Sequence, residues 1–371
     1  MASTTPKLFT PLQVGDVTVQ HRVVLAPLTR MRARKDHVHN EMAVEYYKQR
    51  AAVPGTMLIT EATFIAPEAG GYDNIPGIYT QEQIAAWKPV VEAVHAKGSF
   101  IYLQLWALGR AAEPTVLEKE GPYPYVSASD VALEGKPFPP RPLTIDEVQR
   151  FVQLYATAAS NAVHGAGFDG VEIHGANGYL IDQFTQDVTN KRTDDYGGSI
   201  EKRARFALEV VDAVVEKIGA GKTGIRLSPW GTFNSMRMSD PVPTFSYVVQ
   251  KLAERQPKLA FIHLVEPRVT GNADRVVLEG ESNDFIREIW APRALISAGG
   301  YSRELAIQAA EETGNLIAFG RAYISNPDLP LRLKKNVPLT KYEREKFYLV
   351  EDPVGYTDYP FAPENAEELG A

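Results

Sequence analysis

The chain has 371 residues, of which 44% are hydrophobic and 23% are charged, and its formal net charge is −7. This globular composition, acidic and without a run of lysine and arginine, argues against nucleic-acid or anionic-membrane partners. The absence of cysteine excludes disulfides, thiolate catalysis and cysteine-ligated metal centres. Because we find neither a signal-peptide pattern nor a bilayer-spanning apolar run, we expect a cytoplasmic protein with one domain over residues 1–371.

Short apolar segments alternate with helix-period segments from near the N-terminus to about Leu333. Strands that are covered on both faces, as in a parallel sheet, have this apolar character. Eight strand–helix units in one series predict an α/β fold, a (β/α)8 TIM barrel, whereas the runner-up, a doubly wound sheet, would rarely reach eight units without a break. The predicted strands are Arg22–Pro27, Thr56–Thr63, Ser99–Trp106, Asp169–His174, Thr223–Ser228, Leu259–Val265, Arg293–Ala298 and Leu316–Gly320.

Amphipathic helices are predicted between these strands, among them Gln81–Lys97, Ile145–Val163 and Glu201–Ile218. Thr80–Gln83 and Thr144–Glu147 should open the first two as capping boxes, in which the hydroxyl of the first residue and the side chain of the last satisfy free backbone N–H groups.

Three segments depart from the regular pattern. Residues 107–143 carry seven prolines and predict a lid-like insertion after strand 3, with a hairpin, over the barrel mouth. Residues 338–371 form a C-terminal tail rich in aromatic and acidic side chains. Gly219–Gly224 matches the G-x-G-x-x-G dinucleotide fingerprint, but it follows a helix and precedes a strand, the reverse of the required order. We therefore interpret it as a helix-to-strand turn.

The fourth strand is followed by three polar side chains within six residues, at the barrel end where active sites form. One helical turn there would place His174 and Asn177 on one face, where both could donate N–H groups to one carbonyl oxygen. Tyr179, with an ordinary pKa of about 10, would be protonated and able to give a proton to a neighbouring carbon. The alternative is a cluster of buried polar groups that only satisfy one another.

A metal site is not expected. His95 and His164 fall within predicted helices and His263 within a predicted strand, and no His-x-x-x-His pairing with carboxylates occurs.

The last two strands end in a pattern typical of phosphate binding in barrels, with glycines that permit close approach and one fixed cation: Gly299, Gly300, Gly320 and Arg321. Thr29, Gln104 and Arg226 at other strand ends suggest a planar heterocycle across the mouth. FMN fits, because Gln104 suits a pyrimidine edge and Arg226 can stabilise negative charge on a reduced ring. Alternatively, the glycines only make turns, Arg321 is a surface cation, and Arg226 pairs with Glu172.

The chain resembles the Old Yellow Enzymes, a family of FMN-dependent ene-reductases, and in particular its fungal branch. The resemblance covers nearly the whole length. It rests on Ala26–Arg32, Leu58–Thr63, Gly70–Gly77, Gln104–Trp106, Gly170–Tyr179, Asp195–Glu201, Arg226–Pro229, Gly320–Leu329 and Gly355–Pro360.

The resemblance implies a role for each candidate residue. His174 and Asn177 would bind the substrate carbonyl and Tyr179 would donate the proton, which places the chain in the His/Asn subgroup. The loop after Val265–Thr270 is short and lacks an aromatic residue that some relatives supply. The implied cofactor-binding residues are Pro27, Leu28, Thr29, Ala62, Gln104, Arg226, Gly299, Gly300, Gly320 and Arg321. Tyr72, Trp106, Phe233 and Tyr348 would line the substrate pocket.

The implied activity is NADPH-dependent reduction of the C=C bond of an enone or enal by a ping-pong cycle, with tightly bound, non-covalent FMN. Redox-neutral isomerisation of an enal is the alternative on the same scaffold, and retention of Tyr179 favours reduction. A flavin-free barrel that binds a phosphorylated ligand is the alternative from another class. The expected partner is the small-molecule substrate, with no nucleic acid or membrane, and the protein would be a monomer or homodimer.

Overall fold

Eight parallel strands close into a barrel in the computed structural model, which describes residues 5–370. Each strand pairs with the next along the chain, and the last pairs with the first. This confirms the predicted (β/α)8 TIM barrel, and the doubly wound alternative is wrong. The strands are β1 Val23–Leu25, β2 Met57–Phe64, β3 Phe100–Trp106, β4 Gly170–Gly175, β5 Thr223–Leu227, β6 Phe261–Val265, β7 Leu295–Ala298 and β8 Leu316–Phe319.

One principal helix follows each strand. These are α1 Met42–Arg50, α2 Gln81–His95, α3 Ile145–Ser160, α4 Ile200–Ile218, α5 Val242–Arg255, α6 Asp284–Trp290, α7 Arg303–Thr313 and α8 Leu329–Lys335. Shorter helices span Pro114–Glu120, Leu180–Thr185, Arg321–Ser325 and Pro363–Leu369. None of the helices within residues 5–370 combines the length and apolar character needed to cross a membrane.

The sequence predicts the first residues of the helices more accurately than the last ones. Both predicted capping boxes are formed, at Thr80 and at Thr144. Helix α3 ends before the predicted Val163, because the chain passes into a π-helical segment at Asn161–Ala166. Residues Ala220–Lys222 make the turn between α4 and β5, as expected for the G-x-G-x-x-G segment.

The N-terminal end of the barrel is filled. The strands Leu12–Val14 and Val17–Val19 form an antiparallel hairpin whose valines join the apolar cluster inside the barrel. The Asp16 N–H donates to the carbonyl oxygen of Gly221, just before β5 begins, which fixes the hairpin at this end. A second, larger cluster lies between the strands and the surrounding helices.

The proline-rich excursion contains no hairpin. Its two short strands, Val126–Ser127 and Arg141–Pro142, pair in parallel. The buried Arg110 guanidinium donates to the carbonyl oxygens of Val131 and Ala132 within the excursion, and to that of Asn234 after β5. The excursion is therefore tied to the loop that follows β5.

Candidate active site

A cavity of about 590 Å³ opens at the C-terminal end of the barrel, a volume within the usual range for small-molecule sites. All eight strand ends contribute to its wall. None of the residues that line it belongs to the excursion 107–143. The predicted residues that line it are Pro27, Leu28, Thr29, Ala62, Gln104, Trp106, His174, Asn177, Tyr179, Arg226, Phe233, Gly299, Gly300, Gly320, Arg321 and Tyr348.

His174 is the last side chain of β4 on the cavity wall. The backbone N–H of Ala176 donates to its Nδ1 at 3.3 Å, so a neutral ring carries its proton on Nε2. Burial, reinforced by the nearby Arg226 guanidinium, lowers the pKa of His174 well below its ordinary value. The ring is therefore a neutral Nε2–H donor at working pH.

Asn177 lies in a turn and not in the helical turn that the sequence suggested. Its φ is 58°, in the left-handed region that asparagine tolerates better than most residues, and the next helix starts only at Leu180. Its N–H donates to Ser228 Oγ at 2.7 Å, and its carbonyl accepts from Asn234 Nδ2 at 3.0 Å. Both backbone groups of Asn177 are thus fixed, while its side chain lines the cavity.

Tyr179 packs its ring edge-to-face against two neighbours, His174 at 4.9 Å and Trp106 at 4.8 Å between centroids. Burial raises the pKa of Tyr179 above its ordinary value, so its hydroxyl keeps its proton at any working pH. Tyr72 differs from the expectation: it contacts Trp106 at 6.0 Å between centroids but does not line the cavity.

Gln104 and Arg226 both line the cavity, but among the described residues only Gln104 is hydrogen-bonded to a neighbouring side chain. Gln104 Nε2 donates to Glu172 Oε1 at 2.7 Å, and since a carboxylate only accepts, the amide oxygen must face away from Glu172. Arg226 makes no ion pair with Glu172, and its buried Nε has no partner among residues 5–370. A cation at a cavity wall whose buried Nε has no partner indicates a site for an electron-rich ligand edge.

Glycines form a cradle where β7 and β8 end at the cavity. Gly299 and Gly300 have φ of 131° and 62°, and a Cβ at Gly299 would lie 2.8 Å from Val269 Cγ2. A Cβ on Gly320 would lie 3.0 Å from Leu28 Cδ2. Side chains at these positions would therefore be strained or crowded, and the backbone lies open to an incoming group.

Two charged residues beside the cradle were not foreseen. Asp274 grips the Arg321 guanidinium with both carboxylate oxygens, one contact being 3.1 Å. Arg268 Nε donates to the Gly299 carbonyl at 2.5 Å, and its guanidinium covers the Tyr301 ring. Neither residue stands at the end of one of the eight barrel strands, where the site residues were predicted.

Beside the short loop that follows Val265–Thr270, the C-terminal tail completes the cavity wall. The short strands Val269–Thr270 and Ala273–Asp274 form a hairpin beside the mouth, and Phe347 and Tyr348 of the tail line the cavity next to it. Asn272 Nδ2 donates to the Tyr348 hydroxyl at 3.0 Å.

Two fully buried arginines hold this tail. Arg32 donates to the carbonyl oxygens of Lys346, Phe347, Asp352 and Val354 at 2.7–3.0 Å. Arg30 donates to those of Phe347 and Gly355 at 3.1 and 2.6 Å. These two arginines form a tail clamp that could not be predicted from the sequence, because arginine is seldom fully buried.

These residues fit the FMN that the resemblance implies. The unpartnered Arg226 Nε suits the electron-rich edge of the ring, and the glycine cradle with Arg321 suits a phosphate. The Thr29 hydroxyl lines the cavity and makes no hydrogen bond among the described residues. Within residues 5–370, no group of three or more His, Asp or Glu side chains is placed to hold a metal ion.

Comparison with known proteins gives a family match over most of the chain. Residues 7–340 match the NADH:flavin oxidoreductase / NADH oxidase family. The chain is 52% identical over 369 residues to the chanoclavine-I aldehyde reductase fgaOx3 of Penicillium roqueforti, which covers 98% of this chain and 99% of that protein. It is 47% identical over 368 residues to the NADP-dependent oxidoreductase lnbE of Aspergillus flavus, with 96% of each covered.

The crystal structure of Old Yellow Enzyme from a Pichia species is 39% identical and gives a TM-score of 0.88, covering 96% of this chain and 94% of that one. Membership of the matched family implies binding of FMN. The chain therefore belongs to the NADH:flavin oxidoreductase / NADH oxidase family, as an oxidoreductase of the Old Yellow Enzyme type.

Proposed function

We propose that the protein is an ene-reductase that uses FMN and NADPH to reduce the C=C bond of an enone or enal. One observation carries this proposal: three potential donors, His174, Asn177 and Tyr179, line the same cavity as the unpartnered Arg226. Two of the donors suit a carbonyl oxygen and the third suits a carbon that needs a proton.

The cofactor would lie across the strand ends. Thr29 and Gln104 would bind the edge of its ring, Arg226 would stand beside the part that gains negative charge on reduction, and the glycine cradle with Arg321 would hold the phosphate. Bound FMN would supply the hydride chemistry, taking a hydride from NADPH and, in a second half-reaction, delivering one to the β-carbon of the substrate.

The substrate carbonyl would accept hydrogen bonds from His174 Nε2 and the Asn177 amide. Both donors become more favourable as negative charge grows on that oxygen, which is the condition for stabilising a transition state. Tyr179 would give its proton to the α-carbon. The raised pKa of Tyr179, caused by burial, keeps that proton in place until the α-carbon becomes basic.

The names of the relatives support the finer points. One is called an aldehyde reductase and another an NADP-dependent oxidoreductase, so we propose an α,β-unsaturated aldehyde as the substrate class and NADPH as the donor. Aromatic side chains on the cavity wall, Trp106, Phe233 and Tyr348, suit a substrate with an extended apolar part.

Product analysis tests this proposal. Protein reconstituted with FMN is incubated with NADPH and an enal such as a 2-alkenal, under nitrogen. We expect the saturated aldehyde, with one NADPH consumed for each molecule formed. An isomerised enal formed without net NADPH consumption would establish the isomerase instead, and apoprotein that takes up no FMN would establish a flavin-free barrel.

A further inference from the structure

A buried carboxylate lies behind the residues that would hold the pyrimidine edge. Glu172 is fully buried on β4, two residues before His174. Its Oε1 accepts from Gln104 Nε2 and its Oε2 accepts from His263 Nδ1, both at 2.7 Å. Neither Glu172 nor His263 lines the cavity, so the proposed chemistry leaves both unused.

His263 acts here as a neutral donor. Burial lowers the pKa of His263 below its ordinary value, so the ring gives one N–H to Glu172 and bears no charge of its own. Its Nε2 is buried without a partner among residues 5–370. A buried nitrogen without a hydrogen bond costs folding free energy. The hydrogen bond from Nδ1 to Glu172 is therefore the one polar contact, among the described residues, that holds the ring.

The charge of Glu172 faces one nearby cation. Arg226 on β5 pairs in register with both His174 on β4 and His263 on β6, and so stands beside this carboxylate. The two charges are not in contact, because no ion pair joins them within 4.0 Å. Burial lowers the pKa of Arg226, and the nearby carboxylate of Glu172 partly opposes that shift. In a buried site of low dielectric, such a carboxylate offsets part of the positive potential that Arg226 projects into the cavity.

We propose that Glu172 is a positioning residue for the flavin, with two effects. It fixes which atom of Gln104 faces the pyrimidine edge, and its negative charge lowers the positive potential of Arg226 in the cavity. His263 holds the carboxylate in place for both. This inference rests on the proposed binding of FMN.

The two effects are separable by substitution. In Glu172→Gln the new amide can accept or donate, so the Gln104 amide is free to turn over, and the negative charge is lost as well. In Glu172→Asp the charge stays, but the shorter side chain withdraws from Gln104. The orientation effect should therefore appear in both variants and the charge effect only in Glu172→Gln.

The experiment measures two properties of wild type and variants. The Kd of the apoprotein for FMN comes from quenching of flavin fluorescence, and the midpoint potential of the bound flavin from anaerobic titration with a reference dye. We expect FMN to bind about tenfold more weakly to both variants, since each disturbs a charged hydrogen bond. In Glu172→Gln alone, the affinity for reduced FMN should rise about tenfold relative to that for oxidised FMN. For a two-electron couple this raises the midpoint potential by about 30 mV.

A double-mutant cycle tests whether Glu172 acts through Gln104. In a Gln104→Ala background, Glu172→Gln should change the Kd for FMN by less than about twofold, because the group that it orients is gone. The upward shift in potential should persist there. Glu281→Gln is the matched control, since Glu281 is also buried and pairs with arginines, Arg237 and Arg275, but does not line the cavity.

The outcomes separate the two proposals. Wild-type apoprotein that binds no FMN would overturn the proposed function and, with it, this inference. Wild-type binding together with an unchanged or lowered potential in Glu172→Gln would overturn the inference alone. If Glu172→Gln does not fold, Glu172→Asp decides: an unchanged Kd for FMN would also overturn the inference.

Discussion

The two walls of the cavity are built in opposite ways. The wall at the end of β4 is set by the barrel itself: His174 belongs to a strand that is paired on both sides, and the backbone of Asn177 is bonded on both sides by Ser228 and Asn234. The other wall consists of the hairpin around Asn272 and the tail that carries Tyr348, which is 45% exposed. Side-chain bonds hold those segments together, without a sheet beneath the tail.

The difference suggests that reaction geometry and substrate range are controlled separately. Catalytic groups need placement within fractions of an ångström, and a sheet provides it. A wall made of a tail and a hairpin can change without disturbing the barrel. Substitutions in the β4 wall should therefore change the chemical step, and those in the tail wall should change affinity for substrate.

The largest effect should come from Tyr179→Phe, which removes the proton donor and keeps the ring that packs on Trp106. General acids contribute about 10²–10⁴-fold, so reduction of an enal should slow by that factor while reduction by NADPH changes little. Stopped-flow measurement of the two half-reactions checks this. Tyr348→Phe is the control from the other wall, and its half-reactions should change by less than about threefold, because it loses only one exposed hydrogen bond. Equal slowing of both half-reactions in Tyr179→Phe would refute the assigned role.

Next in size is the loss of the tail clamp in Arg32→Met. The carbonyls of Lys346, Asp352 and Val354 lose their donor, and that of Phe347 keeps only Arg30. Because each unsatisfied buried group costs about 1–3 kcal/mol, the free energy that docks the tail should fall by about 3 kcal/mol or more. Faster hydrogen exchange over residues 344–356 and a raised KM, with FMN retained, would be the signs. Arg34→Met, at a position with an exposed side chain, is the control. An unchanged exchange pattern would show that the clamp does not hold the tail.

The free energy of unfolding should depend on pH through Asp182, which lies behind the β4 wall. Asp182 is buried and accepts the Gly178 N–H in the turn between Asn177 and Tyr179, and burial raises the pKa of Asp182 to about 7. The folded protein therefore holds a proton that the unfolded chain releases above about pH 4. This stabilisation is full below that pH and is lost as pH rises to 7.

Urea unfolding at pH 5 and pH 8 tests this sign. The folded-state pKa is raised, so Asp182 should add about 2–3 kcal/mol to the free energy of unfolding at pH 5 relative to pH 8. Asp182→Asn should remove that pH-dependent part. A variant whose free energy of unfolding keeps the full pH dependence of the wild type would show that another group is responsible.

The smallest effect should come from Asp274→Asn in the hairpin. Asp274 forms an ion pair with the Arg321 guanidinium and so competes with the cofactor phosphate for it. Because the carboxylate of this pair is largely exposed, the pair contributes about 0–1 kcal/mol, and FMN should bind up to about fivefold more tightly to the variant. Fluorescence titration of the apoprotein measures this. Asp284→Asn, which breaks another exposed pair, should have no effect. Weaker binding by Asp274→Asn would mean that Asp274 helps to hold the cofactor.

What could be foreseen from the sequence is what depends on local pattern. Alternating apolar segments predicted the barrel, and strand ends predicted which side chains line the cavity, from Thr29 to Arg321. Contacts between distant segments could not be foreseen. Asp274 and Arg321 are 47 residues apart, and Arg32 and Phe347 are 315 apart. The left-handed Asn177 was missed because its conformation is imposed by Ser228 and Asn234, which approach from β5 and the loop after it.

The most direct test of the account is a single turnover of the reduced enzyme. Protein with FMN is photoreduced under nitrogen, without NADPH, and mixed with an enal while the visible absorption of the flavin is followed. We predict that oxidised flavin returns at a rate that saturates with enal concentration and that one equivalent of saturated aldehyde forms. Flavin that stays reduced in the presence of the enal, but is oxidised when oxygen is admitted, would contradict it.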